Sequence, residues 1–483
     1  MKLTAFLLAS CAIALAAGGG TPELRRNGEA MQLLVDGQPF LILGGELRNS
    51  SASSLEFMEP IWPRLKAMSL NTVLATVSWE LLEPHEGSFD FRLVDGLLGQ
   101  ARRNHLRLVL LWFGSWKNGV SSYAPLWVKT DLKRFPRARN THGNNLDILT
   151  PFSENTRIAD AKAFAALMKH LREIDSAQHT VLMMQVENEV GIRPEARDHS
   201  PEAEAAWKPG DSEEEFMARQ YGRYIGSVAE AGKREYPLPM YVNAWLVQNE
   251  RQRPGDYPSG GPVSKVMNVW RAAAGPSIDV FAPDIYLPDF AGVCALYAQA
   301  DNPLFIPEAS RGPESAANVF YAIGHHNAIG FSPFAIDGFA ADHPIASAYA
   351  LLGSMAPLIL RAQAGGTIAG FTQGKEEIDR ADIADTHFEV RYPSRKGVKG
   401  GGLIFAAGPE EFYIAGTAIS VRFSSRDNAL TARIGAVDEG RFVNGAWKAG
   451  RRLNGDETGG GGEIRLSEDG YSIQRVRLYR HER

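Results

Sequence analysis

The chain alternates, repeatedly, between short apolar runs and segments of helical spacing. Runs with strand character occupy 40–45, 70–79, 106–113, 180–186, 239–246, 278–285, 303–306 and 328–334. Helical patterns lie between them, for example at 94–103, 155–174, 213–236 and 315–325. Eight strand-helix units over roughly 300 residues fit a (β/α)8 barrel with enlarged loops. The long connections 114–150 and 191–211 follow the third and fourth strands, so both are expected on the face where such barrels keep their chemistry.

Beyond a last helix at 345–360 and the glycines Gly365-Gly366, the texture changes. Short strand runs separated by Gly, Asp and Asn follow at 402–407, 411–415, 419–423, 429–437, 440–443 and 472–479. They read as an all-β sandwich. The expected organisation is a barrel over 25–360 and a sandwich over 364–483 packed on it. A turn Asp36-Gly37 between 33–35 and 38–40 predicts a hairpin ahead of the barrel.

Lys2, an apolar stretch over 3–15 and Ala14-Leu15-Ala16 read as a signal peptide over 1–16, which predicts a periplasmic or secreted protein. A lipoprotein reading through Cys11 ranks second. The apolar stretch is too short to span a membrane. With the signal removed only Cys294 remains, and it reads as a buried structural thiol. The net charge of −5, with acidic and basic residues well mixed, gives no electrostatic case for nucleic acid or an anionic membrane. There is no dinucleotide or phosphate-binding loop and no metal-ligand spacing, so neither cofactor nor metal is expected.

The fourth strand run turns abruptly polar at Gln185-Val186-Glu187-Asn188-Glu189, and the seventh ends in Pro307-Glu308. Two carboxyl groups at strand ends of such a barrel suit glycosidic hydrolysis. One protonates the leaving oxygen, while the other attacks the anomeric carbon or activates water. Glu189 suits the acid/base and Glu308 the nucleophile, with Asn188 placed to donate to a sugar hydroxyl. Glu187 rivals Glu189. The two share a face if the strand runs through both and diverge if it ends near Asn188, so the residues alone leave both open.

Other strand ends carry sugar-binding chemistry. Trp112 and Phe113 read as core. Trp116, Lys117 and Asn118 lie past the expected end of the third strand, where sugar binding and an ordinary loop are both open. Asn243 and Trp245 end the fifth strand, and Asp284 and Tyr286 the sixth. Tyr286 can hold the nucleophile by a hydrogen bond. Glu46 ends the first strand and is expected to reach a hydroxyl.

At Leu70-Asn71-Thr72-Val73, over 77–91, and over 185–191, the chain resembles glycoside hydrolase family 35, the β-galactosidases. The tail, with Arg441-Phe442-Val443-Asn444-Gly445 and Leu453-Asn454-Gly455-Asp456, resembles a short β domain of unknown function found in a bacterial subgroup. The resemblance implies Glu189 as acid/base over Glu187, and Glu308 as nucleophile. It implies a retaining, exo-acting β-galactosidase acting on a galactose-containing oligosaccharide or polysaccharide. Alternatives are another retaining barrel glycosidase, such as a β-glucosidase or endo-glycanase, or a non-catalytic carbohydrate-binding protein.

Overall fold

The computed structural model describes residues 20–210 and 212–483. The stretch 1–16 that reads as a signal peptide, with Cys11, lies outside the described residues.

Eight parallel strands form the barrel: β1 (Ile42–Leu43), β2 (Thr72–Ser78), β3 (Arg107–Lys117), β4 (Val181–Asn188), β5 (Met240–Trp245), β6 (Val280–Ile285), β7 (Phe305–Ala309) and β8 (Gly330–Pro333). Each coincides with one of the apolar runs expected to form it. The ring closes between β1 and β2. There Leu74 N donates to Gly45 O at 2.9 Å and Leu47 N to Leu74 O at 3.1 Å. On the other side Glu46 N donates to Pro333 O at 3.0 Å, so the backbone of Glu46 joins the seam to both neighbours.

The interior packs Ile42, Leu74, Val109, Leu111, Met183, Tyr241, Val280 and Phe305. A three-stranded sheet (Glu23–Asn27, Ala30–Val35, Gln38–Phe40) plugs the N-terminal end with Leu33 and Val35. Its second turn is the expected Asp36-Gly37 pair, with φ of 54° and 74°. Positive φ at both turn residues matches the twist of the strands they join. The crossover helices turn apolar stripes to the barrel. In Arg92–Arg103, Val94, Leu97, Leu98 and Ala101 are buried, the spacing of one helical face.

Helix Pro344–Ala364 is long and apolar enough to cross a membrane by length and composition, but it is the last barrel helix, with Ile345, Ala348, Tyr349, Leu352, Met355 and Ile359 buried. It runs a turn beyond the expected end, and the sandwich begins at Ile368–Thr372.

The sandwich has a six-stranded and a four-stranded antiparallel sheet. Phe371, Phe388, Val390, Ile404, Phe412, Ile414, Val421, Val437 and Val476 fill the space between them. The runs 429–437 and 440–443 are one bulged strand, Leu430–Val443. Strands Ile368–Thr372, Ile378–Ile383, Thr386–Arg391, Ala446–Leu453 and Glu463–Leu466 lie outside the runs read from the sequence; Ile378–Ile383 and Ala446–Leu453 bury only their last residue. The sandwich lies against helix Ser315–His326, which follows the β7 strand. Phe320 stacks on Tyr471 with centroids 5.6 Å apart, and Lys399 Nζ donates to Asn318 Oδ1 at 2.8 Å. Gly370 passes so near this helix that an added Cβ would sit 2.3 Å from Phe320 O.

Candidate active site

The C-terminal ends of β3 to β7 converge on a cavity of about 580 Å³. Lys117, Asn118, Glu189, Asp284 and Glu308 line its floor, and Arg193, Trp245, Gln248, Gln252 and Asp256 contribute to its rim.

Parallel register places the two carboxyls of β6 and β7 side by side, because Asp284 pairs directly with Glu308. Glu189 meets them from just past β4. One carboxylate oxygen from each of Glu189, Asp284 and Glu308 lies within 4.8 Å of the others. Glu308 is held on both oxygens. Tyr286 Oη donates to Oε2 at 2.6 Å, while Asn188 Nδ2 and Asn243 Nδ2 lie 3.4 Å and 3.5 Å from Oε1. Asn243 also donates to Asp284 Oδ2 at 2.8 Å and accepts from Glu189 N at 3.0 Å, so it ties the three acids together.

Glu189 and Glu187 diverge. Both have left-handed backbones, with φ of 63° at Glu187 and 43° at Glu189, which breaks the alternation a continued strand would impose. Glu189 enters the cavity and accepts from Asn118 Nδ2. Glu187 turns into the wall, where its oxygens accept from Ser115 N at 3.0 Å and Trp116 N at 2.7 Å. It lies against buried Asp160, which takes hydrogen bonds from Trp112, Ser115 and Tyr224.

That contact explains Trp116. β3 carries extra residues between Trp112, which pairs with Val186, and Lys117, which pairs with Asn188. The bulge gives its N–H groups to Glu187 and swings the Trp116 ring outward. Trp116 is fully buried between Tyr221 and Tyr224, with Nε1 donating to Leu149 O at 3.0 Å. It is therefore a core residue and does not line the cavity, contrary to the expectation of a sugar-binding role. Lys117 and Asn118, at the far side of the bulge, do line it.

Glu46 also departs from expectation. It is 0% exposed and is not among the residues that line the cavity. Asn188 is likewise buried, reaching Glu308 from behind. Asn243 is in the same position, whereas Trp245 and Tyr286 stand at the cavity edge. The guanidinium of Arg193 lies 4.9 Å over the Trp245 ring.

Crowding acids in one dry place sets their protonation. Burial, then the neighbouring Glu308, pushes Glu189 up to about 8, with Lys117 and a hydrogen bond from Asp284 opposing. Burial, Glu308 and Glu189 raise Asp284 well above the usual carboxylate range. Burial and Asp160 do the same to Glu187. Tyr286 is pushed up by burial and by Glu308, so it stays a phenol and a donor.

Arg193, Gln248, Gln252 and Asp256 were beyond sequence reasoning. They sit on irregular loops, and only the strand ends carry a positional signal. Asp284 was visible as the polar end of β6, but only its register against Glu308 reveals its place in the cluster.

A (β/α)8 barrel with facing glutamates at the ends of the fourth and seventh strands has the architecture of the barrel glycoside hydrolases. Comparison with known proteins points the same way. A family model described as β-galactosidase, of glycoside hydrolase family 42, matches residues 54–233. A second model, Domain of unknown function (DUF5597), matches residues 345–465. The family number thus differs from the family 35 resemblance, while the β-galactosidase description is common to both.

Among curated proteins, the β-galactosidase of Xanthomonas manihotis is 32% identical over 87 residues, which are 18% of this chain and 14% of that protein. The chain thus aligns with only about a seventh of this relative's length. Among solved structures, the β-galactosidase of Bacillus circulans sp. alkalophilus superposes with a TM-score of 0.51 at 14% identity, over 67% of this chain and 57% of that one. The β-galactosidase of Marinomonas ef1 gives 0.48 at 12% identity, over 65% and 60%.

Proposed function

We propose that this chain is a retaining, exo-acting β-galactosidase. The observation that carries the reading is the approach of Glu189 and Glu308 to within 4.8 Å, oxygen to oxygen. Retaining glycosidases hold their carboxyls about 5–5.5 Å apart, whereas inverting ones need roughly 6.5–9.5 Å to admit a water. The family similarity supports galactose as the sugar.

In the first step a Glu308 oxygen bonds to the anomeric carbon as the glycosidic C–O bond breaks, and Glu189 gives its proton to the departing oxygen. In the second, Glu189 takes a proton from water, the water oxygen bonds to the anomeric carbon, and the Glu308 ester bond breaks. The desolvated position of Glu189 suits a group that must enter the first step protonated. Tyr286 and the two asparagines orient Glu308 for attack.

A cavity closed beneath by the barrel core suits removal of a terminal residue, with the remainder of the substrate passing Trp245 and Arg193. Galactosyl side chains of plant polysaccharides, or their oligosaccharides, are the proposed substrates. The proposed location is the periplasm or the exterior, from the residues over 1–16. The sandwich is proposed to brace the barrel: Trp447, its single tryptophan, packs against Tyr413 and Phe442, with centroids 5.2 Å and 5.3 Å away, rather than offering a face to a sugar chain.

The test is NMR of the first product released from a β-galactoside. The β-anomer is expected first. The α-anomer first would remove the nucleophile role from Glu308.

A further inference from the structure

Glu46 sits where a carboxylate is hard to keep. It is completely buried, and neither of its oxygens meets a hydrogen-bond donor among the described residues. The carboxyl of Glu308 lies within hydrogen-bonding reach of it. Two ionised carboxylates cannot share such a contact, because both only accept. The Glu46 backbone is fixed against the end of β8, its N–H donating to Pro333 O and its C=O accepting from Ile336 N, each at 3.0 Å. One of the pair therefore holds a proton.

Glu308 is the partner supplied with outside donors, from Tyr286, Asn188 and Asn243. Such donors favour the ionised form. The proton thus belongs to Glu46. We propose that Glu46 is a positioning residue that remains a neutral acid and donates its proton in a hydrogen bond to the Glu308 carboxylate from beneath.

The charges around it agree. Glu308, Glu189, Asp284, Tyr241 and Tyr286 all face Glu46 as acids, and Lys117 is the cation among its neighbours. Burial, first, and then Glu308 hold the Glu46 carboxyl well above the usual carboxylate range. A hydrogen bond from below also fixes the direction in which the free lone pair of Glu308 points, and weakens as that oxygen becomes an ester. The catalytic part of this inference rests on the nucleophile role proposed for Glu308; the protonation of Glu46 does not.

Two measurements on the full chain decide it. Infrared difference spectra of wild type against Glu46→Gln, at pH 7 in H2O and D2O, should lose a protonated carboxylic C=O band that shifts on deuteration. Loss of ionised carboxylate bands instead would overturn the proposal, and this readout needs no turnover. The second is steady-state kinetics on an aryl β-galactoside. Glu46→Gln keeps a donor of the same shape and should hold kcat/KM within about threefold. Glu46→Leu removes it and should lose about ten- to a hundredfold, mostly in kcat, the size of a charge-assisted hydrogen bond. A Gln variant as impaired as Leu, or a Leu variant equal to wild type, would overturn the positioning role. If Leu fails to fold, the Gln variant and the infrared band still decide. Wild type that hydrolyses no galactoside would refute the proposed function while leaving the infrared result standing.

Discussion

The Tyr286 phenol donates to Oε2 of Glu308 across 2.6 Å, from a side chain that is itself 44% exposed at the cavity edge. The nucleophile candidate is thus steadied by a residue in contact with both substrate space and solvent. Tyr286→Phe keeps the ring and removes the bond. Hydrogen bonds to charged groups contribute ~1.5–3 kcal/mol, so kcat/KM on an aryl galactoside should fall about ten- to a hundredfold. Stability, read as Tm, should change little, because the lost group borders water.

The two glutamates should respond differently. Glu308→Gln should remove nearly all turnover, since an amide does not attack the anomeric carbon. Glu189→Gln should lose less on substrates with good leaving groups, which need little protonation. Azide should restore part of its second step and yield a β-galactosyl azide. Product analysis by chromatography checks both outcomes.

Glu189 must be protonated to act first, and its position near 8 sets the basic limb of the profile. kcat/KM should fall as pH rises past about 8, and this limb should vanish in Glu189→Gln on an activated substrate. The same group costs stability. Between its ordinary value of 4.5 and about 8, the folded chain holds a proton that the unfolded chain releases. Stability therefore falls as pH rises through that window and levels off above it. Glu189→Gln should raise Tm at pH 8 and have little effect at pH 4.5, by differential scanning calorimetry.

Trp116 gives the opposite signature. It is a fully buried ring, and large aromatic to Ala changes in a core cost ~3–5 kcal/mol. Trp116→Ala should lower Tm by several degrees. Trp116→Phe should retain KM for the substrate, because the ring does not line the cavity. A tenfold rise in KM with unchanged Tm would instead place Trp116 in substrate contact.

The barrel is legible in the sequence because each buried parallel strand is a near-continuous apolar run, and the polar residue that ends it marks the catalytic face. Glu308 and Asp284 are visible in this way. What defeats the rule is local backbone geometry. The β3 bulge reverses the direction expected of Trp116, and left-handed backbones at Glu187 and Glu189 send apart two side chains that alternation alone would join. Glu46 obeys the strand-end rule, yet the depth of its position depends on barrel closure, a relation among β1, β2 and β8 that no local window contains. The half-exposed strands of the sandwich carry too little apolar signal to be read.

Gly370 of the sandwich and Gly324 of the helix following β7 face each other with no side chain between, an added Cβ on Gly370 lying 2.8 Å from the Gly324 Cα. Backbone against backbone is a joint that tolerates no enlargement on either side. Exchange of this sandwich onto another barrel would thus need a matching glycine track on the recipient helix. Any shuffling in protein engineering therefore has to keep the sandwich together with this helix.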